Sequence, residues 1–261
     1  MNKQRLASTA LAALALAAFS PVASAASTWN FGSGCSGSNG GTYGNVWTCG
    51  SGDSQVWAQA WSTAEGDGDE GTYRTAELER YSGSGFGVRN REWNNGDGQS
   101  PEHATDNQNG TDLIALSFAQ SVTLSSLSVG WWQEDSDLSV LAYTGAGTPS
   151  LSNMTAADLL DAGSGWTLVG NYASAGATST KSINSGNFSS SWWLISAYNS
   201  NFGGSGLGQG NDYVKLLAVA GTRYTPPPPP PGVPEPGTLA LAGIALAGAW
   251  QVRRRKTSAE S

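Results

Sequence analysis

Few side chains in this sequence can do acid–base, ligand or nucleophilic chemistry, and they are unevenly placed. His103 is the only histidine, and Cys35 and Cys49 are the only cysteines. A Ser-His-Asp hydrolase would have to use His103, in Ser100-Pro101-Glu102-His103-Ala104-Thr105-Asp106, yet no Gly-x-Ser-x-Gly elbow is present. A single histidine in a polar loop reads as solvated. It also makes no zinc site with two cysteines. Carboxylates are more plentiful. Glu134, Asp135 and Asp137 follow a strand signal, and two of them could flank a glycosidic bond; a turn with solvated acids is the alternative. Asp67-Gly68-Asp69-Glu70-Gly71 and the loop running from Asp106 to Asp112 put oxygen ligands on Gly-rich loops, the donor type that calcium takes. Neither follows the EF-hand pattern. Asp106 and Asp112 are the expected ligands of a structural calcium ion, with an ordinary Asn-Gly turn as the alternative.

The tryptophans offer binding rather than catalysis. The chain has 11 of them, and Trp131-Trp132 and Trp192-Trp193 are adjacent pairs inside strand signals. Successive strand residues face opposite ways, so one of each pair is expected in the core and one outside. Trp132 and Trp192 are the expected outward platforms for stacking a sugar. The alternative is that both members of each pair are buried.

These residues must be carried by a β-rich framework. Among 261 residues there are 35 Gly, and only 13% of the chain is charged. Glycine weakens a helix by about 1 kcal/mol relative to alanine, so the chain is a poor candidate for a helical bundle. Strand signals fall at 112–120, 122–132, 138–143, 166–172, 191–198 and 213–220, with weaker ones at 56–63 and 72–81. One short helix is expected at 155–161, opened by a Thr155/Asp158 capping box and stopped at Gly163. Short strands at roughly ten-residue spacing with Gly-rich turns give an all-β fold, a single β-sandwich or jelly-roll-like domain over residues 26–224. No fixed repeat supports a β-helix or propeller.

The two ends read as addresses. Residues 1–25 form a signal peptide: Lys3 and Arg5, an apolar run through Phe19, Pro21, and the cleavage site Ala23-Ser24-Ala25. An uncleaved anchor is the alternative. Export places Cys35 and Cys49 in an oxidising compartment, where a disulfide closing a loop of about 15 residues is expected. Free thiols or a shared metal are the alternatives. At the other end come a proline-rich linker over 225–232 and then Val233-Pro234-Glu235-Pro236. An apolar stretch follows, then the basic cluster Arg253, Arg254, Arg255 and Lys256, and a tail at 257–261. Fourteen helical residues from Gly237 to Trp250 cover only about 21 Å, short of the ~30 Å hydrocarbon core. The basic cluster places the tail in the cytoplasm and the linker outside the inner membrane. Residues 26–225 hold 7 Arg/Lys and 18 Asp/Glu, a balance of −11, and the whole chain carries −7. That excludes nucleic acid as a partner, because such binding needs a basic face.

Residues 233–256 resemble a PEP-CTERM sorting signal, which exported proteins of Gram-negative bacteria carry and the membrane enzyme exosortase reads. The resemblance implies that Pro234, Glu235 and Pro236 are the recognition motif. It also implies that the protein is the substrate of exosortase and not itself an enzyme. The blocks Trp131 to Gly145, Gly165 to Tyr172, Trp193 to Asn199 and Asn211 to Leu217 resemble a family of exosortase-dependent surface proteins, over roughly 100–225. That implies location at the cell surface or in the extracellular matrix, a setting of exopolysaccharide, and no catalytic activity. The expected function is therefore structural or adhesive. A carbohydrate-binding module and a secreted glycoside hydrolase are the alternatives.

Overall fold

The structure is a computed structural model that describes residues 24–64, 70–91, 103–224 and 244–245. The signal peptide up to residue 23, Asp67 and Asp69, the proline linker and all of the sorting segment except residues 244–245 lie outside the described residues. Among the described residues no helix is long and apolar enough to cross a membrane.

Among the described residues every pair of strands is antiparallel, with one isolated parallel bridge between Asp135 and Asp212, and two long strands organise the rest. One is β9 (Asp112–Glu134), the other β14 (Asp212–Tyr224). Gln120 and Ser121 mark the point where β9 changes partners. Its first part, up to Phe118, lies between β4 (Val56–Ser62) and β13 (Ser190–Ala197); its second part, from Val122, runs along β14. The chain thus forms two wings of one curled sheet.

The first wing continues from β13 to β10 (Leu138–Tyr143) and β11 (Trp166–Tyr172). On the other side it continues from β4 to β3 (Val46–Cys49) and β2 (Cys35–Ser36), while β5 (Arg74–Thr75) pairs with the end of β4. In the second wing, β12 (Lys181–Ser182) borders β9. The far side of β14 takes β1 (Ser24–Asn30), β7 (Gly85–Arg89) and β8 (Thr105–Asp106), and β6 (Glu77–Tyr81) completes a hairpin with β7.

Period-two patterning explains why the sheet has a core on each face of its first wing. Ile114, Leu116 and Phe118 of β9, Trp193 and Ile195 of β13, and Val140 and Ala142 of β10 join Leu124, Leu127, Leu216 and Val219 of the second wing in one large cluster. The alternate residues Leu113, Ala115, Leu194 and Leu141 face a smaller cluster. The helix α1 (Ala156–Leu160) covers it through Ala156 and Leu159. The expected capping box is present: the Thr155 hydroxyl accepts from the Asp158 N–H at 3.1 Å, and the Asp158 carboxylate accepts from the Thr155 N–H at 2.8 Å. Those contacts hold the Asp158 carboxyl below its usual range.

β1 and β14 place the two ends of the domain side by side. Ala26 lies opposite Thr222, and Ser24 opposite Tyr224. Residues 23–225 form a compact unit with its own core and its own disulfide, which is what independent folding requires. Cys35 and Cys49 face each other across the β2–β3 pair and are bonded, with Cys49 only 3% exposed. The Cys35→Ser/Cys49→Ser double variant is expected to lose about 3 kcal/mol of unfolding free energy. Denaturant titration of the variant beside reduced wild type measures it; overlapping curves for variant and oxidised wild type would refute a stabilising role.

Candidate functional site

Two places gather residues that could bind or react. The first is an aromatic groove on the outer face of the first wing. β4 alternates Val56, Ala58 and Ala60 toward the main core with Trp57, Gln59 and Trp61 on the other face. The register then builds rows across the strands. Trp57 stands beside Ser117, which stands beside Trp192; Gln59 stands beside Ala115, then Leu194; Trp61 stands beside Leu113, then Ser196. Ser117 and Ala115 are small, so the sheet dips between the indoles. A cavity of about 270 Å³ lies there, walled by Trp61, Trp192 and Trp166 and closed on one side by the segment from Thr148 to Leu151. Trp166 is held edge-on against Tyr143, with ring centroids 5.2 Å apart. The Trp192 backbone is fixed by Ser190, whose hydroxyl accepts its N–H at 2.9 Å at a bulge in β13. Trp166 is 5% exposed, and its indole N–H has no hydrogen-bond partner among the described residues.

Each adjacent tryptophan pair splits across its strand. Trp193 is fully buried, while Trp192 is half-buried on the opposite face, in the groove. Trp132 is 43% exposed and stands elsewhere, its indole so close to the bare Gly176 backbone that a Cβ there would come within 2.5 Å. Trp131 faces the other way and packs with Tyr81 around the buried Lys215, whose Nζ lies 4.1 Å and 4.4 Å from the two ring centres. Trp61, Trp166 and Gln59 escape a reading based on paired tryptophans. The small/aromatic alternation of residues 56–61 was the available signal for β4; the meeting with Trp166 depends on register.

The second place is acidic. Asp135, Asp137 and Asp212 each offer a carboxylate oxygen within 4.8 Å of the others. The turn after β9 supplies the first two, and the start of β14 supplies the third. Asp137 and Asp212 are 3% and 0% exposed. Backbone N–H groups and one side-chain amide, from several segments, donate to them. Asp137 accepts from Ser174 at 2.7 Å and Gly208 at 3.1 Å; Asp212 accepts from the Asp137 N–H at 2.5 Å and the Asn107 side chain at 2.6 Å. Burial pushes the Asp212 carboxyl up to about 7, helped by the negative charges of Asp137 and Asp135 and opposed by those two hydrogen bonds. The arrangement ties loops together, and its oxygens are of the type that hard cations take. Glu134, expected beside them, is exposed and adopts a left-handed backbone with φ of 58°.

The remaining sequence candidates are scattered. Asp106 and Asp112 are both buried and adjacent: the Asp112 carboxylate accepts from the Asp106 N–H at 3.4 Å, and the Asp106 carboxylate accepts from the Gln108 N–H at 3.0 Å. His103 packs along Tyr81, with its Nε2 3.8 Å from a Glu79 oxygen, in a cluster that also holds Arg89. Pro234, Glu235, Pro236 and the basic residues Arg253, Arg254, Arg255 and Lys256 lie outside the described residues.

No curated protein matches the chain. Residues 232–256 match the family model of the PEP-CTERM protein-sorting motif. The chain therefore carries a PEP-CTERM sorting motif near its C-terminus, and the motif implies export and processing by exosortase.

Proposed function

We propose that this is an exosortase-sorted surface or matrix protein of structural or adhesive role, without catalytic activity of its own. The observation that carries the reading is the sorting motif at 232–256, placed directly after the proline run 226–231. Proline-rich runs serve in general as semi-rigid spacers between modules, which is the composition a sorting signal needs between itself and a folded domain. In this reading the two wings work as the leaves of a β-sandwich, supported by the core they share. The buried carboxylates support a non-catalytic role. A glycoside hydrolase needs its acid and its nucleophile or base open to a cleft. Asp137 and Asp212 instead hold backbone N–H groups in the interior.

C-terminal peptide mass spectrometry of the surface fraction tests sorting in the native host. Wild-type surface protein is expected to lack Arg253, Arg254, Arg255 and Lys256. Glu235→Ala is expected to keep them and to stay with the inner membrane. Intact tails on wild-type surface protein would refute processing, and identical processing of the variant would show that Glu235 is not read.

A further inference from the structure

We propose that the groove walled by Trp61, Trp166 and Trp192 binds a segment of a neutral polysaccharide, with one sugar ring stacked on Trp192. The proposal takes its extracellular setting from the surface reading above. Its chemistry comes from the groove alone.

A pyranose ring is amphipathic: its faces are C–H groups and its rim is hydroxyls. The groove has the complementary surfaces. Three indoles form apolar walls, Ala115 leaves the floor low, and Gln59, whose amide nitrogen donates to the Gly44 carbonyl at 2.9 Å, joins Thr148 and Ser150 as the neutral polar residues of the lining. Ligand pockets are built in this way, mostly apolar with a few placed polar groups, and a volume of about 270 Å³ suits one ring. Trp166 adds a second sign. A buried indole N–H ordinarily has an acceptor, and this one has none among the described residues. A sugar hydroxyl seated against Trp166 would supply one.

Charge and spacing narrow the class. Among the described residues no charged side chain lines the groove. The exported part of the chain carries 7 basic against 18 acidic residues, a field that repels uronic-acid or sulfated polymers. A polymer fits better than a free sugar because the platform continues. Trp57, 37% exposed, shares a row with Trp192 across the single intervening strand. Two strand spacings put these two backbones about 10 Å apart, within the reach of one oligosaccharide.

The test uses the exported 26–225 domain, purified oxidised, with the hexamers of cellulose, chitin and laminarin as neutral probes and an alginate hexamer as the anionic one. Calorimetry and tryptophan emission are read together. At least one neutral hexamer is expected to bind and to shift the emission. Trp192→Ala is expected to weaken that binding at least tenfold, with Trp192→Phe in between and Trp132→Ala unchanged. Melting curves of each variant separate a lost site from a lost fold, and Trp192→Phe carries the test if Trp192→Ala does not fold. The proposal is overturned if no neutral hexamer binds at millimolar concentration. It is also overturned if alginate binds more tightly, or if removing Trp132 rather than changing Trp192 abolishes binding. None of these outcomes touches the sorting experiment, which is read on the C-terminal peptide.

Discussion

Gly85→Ala is expected to leave the exported domain unable to reach its native state. Gly85 opens β7 with φ of +101°, a backbone conformation that L side chains rarely adopt. A Cβ at this position would sit 2.0 Å from the Leu216 carbonyl oxygen and 2.6 Å from the Leu217 Cα. Both are backbone atoms of β14, so no rotamer change relieves the clash. Moving β7 away breaks its pairing at Phe86 and Leu216, and draws Phe86 out of its stack with Phe31, where the ring centroids are 4.9 Å apart. A loss above about 4–5 kcal/mol is expected, against typical domain stabilities of ~5–15 kcal/mol. Gly147→Ala is the matched control. It also has positive φ, +77°, but open space around its Cβ, and is expected to cost only about 1 kcal/mol. Limited proteolysis and near-ultraviolet circular dichroism read both. A Gly85→Ala domain as protease-resistant as the control would contradict the assigned β7–β14 contact.

Asp212→Asn is expected to change how stability depends on pH. The folded-state pKa of Asp212 is raised to about 7 from an ordinary 3.8, chiefly by burial. Between those values the native state holds a proton that the unfolded chain has released. Its contribution is therefore fully present below about pH 3.8 and falls as pH rises toward 7, at up to ~1.4 kcal/mol per pH unit. Asparagine cannot release that proton. The difference in unfolding free energy should move in favour of the variant from pH 4 to pH 7 and level off above, whatever constant offset the altered hydrogen bonds add. Urea titrations at one-unit steps measure it, and a difference independent of pH would reject the assignment. Repeating the melts with chelator and with millimolar calcium tests the calcium expectation. Calcium held by Asp106 and Asp112 raises the melting temperature of wild type and not of Asp106→Asn. Equal melts leave the ordinary turn.

The sequence spoke most clearly in short, well-bounded runs. β10 and β11 occupy the expected 138–143 and 166–172, because each is a short run rich in apolar and β-branched residues bounded by turn residues, although their pairing shifts register at Val140/Leu141. β9 was expected as two strands, since Gln120 and Ser121 interrupt the pattern. The chain stays extended there and changes partner instead, which a linear pattern does not distinguish from a turn. The expected 72–81 strand divides at Ala76, which turns into the core between β5 and β6. β1, β2 and β3 carry no clear signal, because each is short and has at most one aromatic anchor, Trp29 in β1 and Trp47 in β3. The groove was legible only in part. Trp192 follows from alternation within one strand, whereas its meeting with Trp61 and Trp166 depends on the register of five strands. The acidic knot shows the same limit, since Asp212 lies 75 residues beyond Asp137.

The side-by-side ends of β1 and β14 also bear on force. If the C-terminal end of the domain is held while the groove is loaded, tension enters at Tyr224, the last residue of β14. That strand runs for 13 residues, with β9 on one flank and β1, β7 and β8 on the other. Tension on Tyr224 therefore loads many backbone hydrogen bonds at once in shear, rather than opening them one after another as in a zipper. The element joined to the tether is then the one best able to bear a load, and the domain should resist steady drag far better than its modest size suggests.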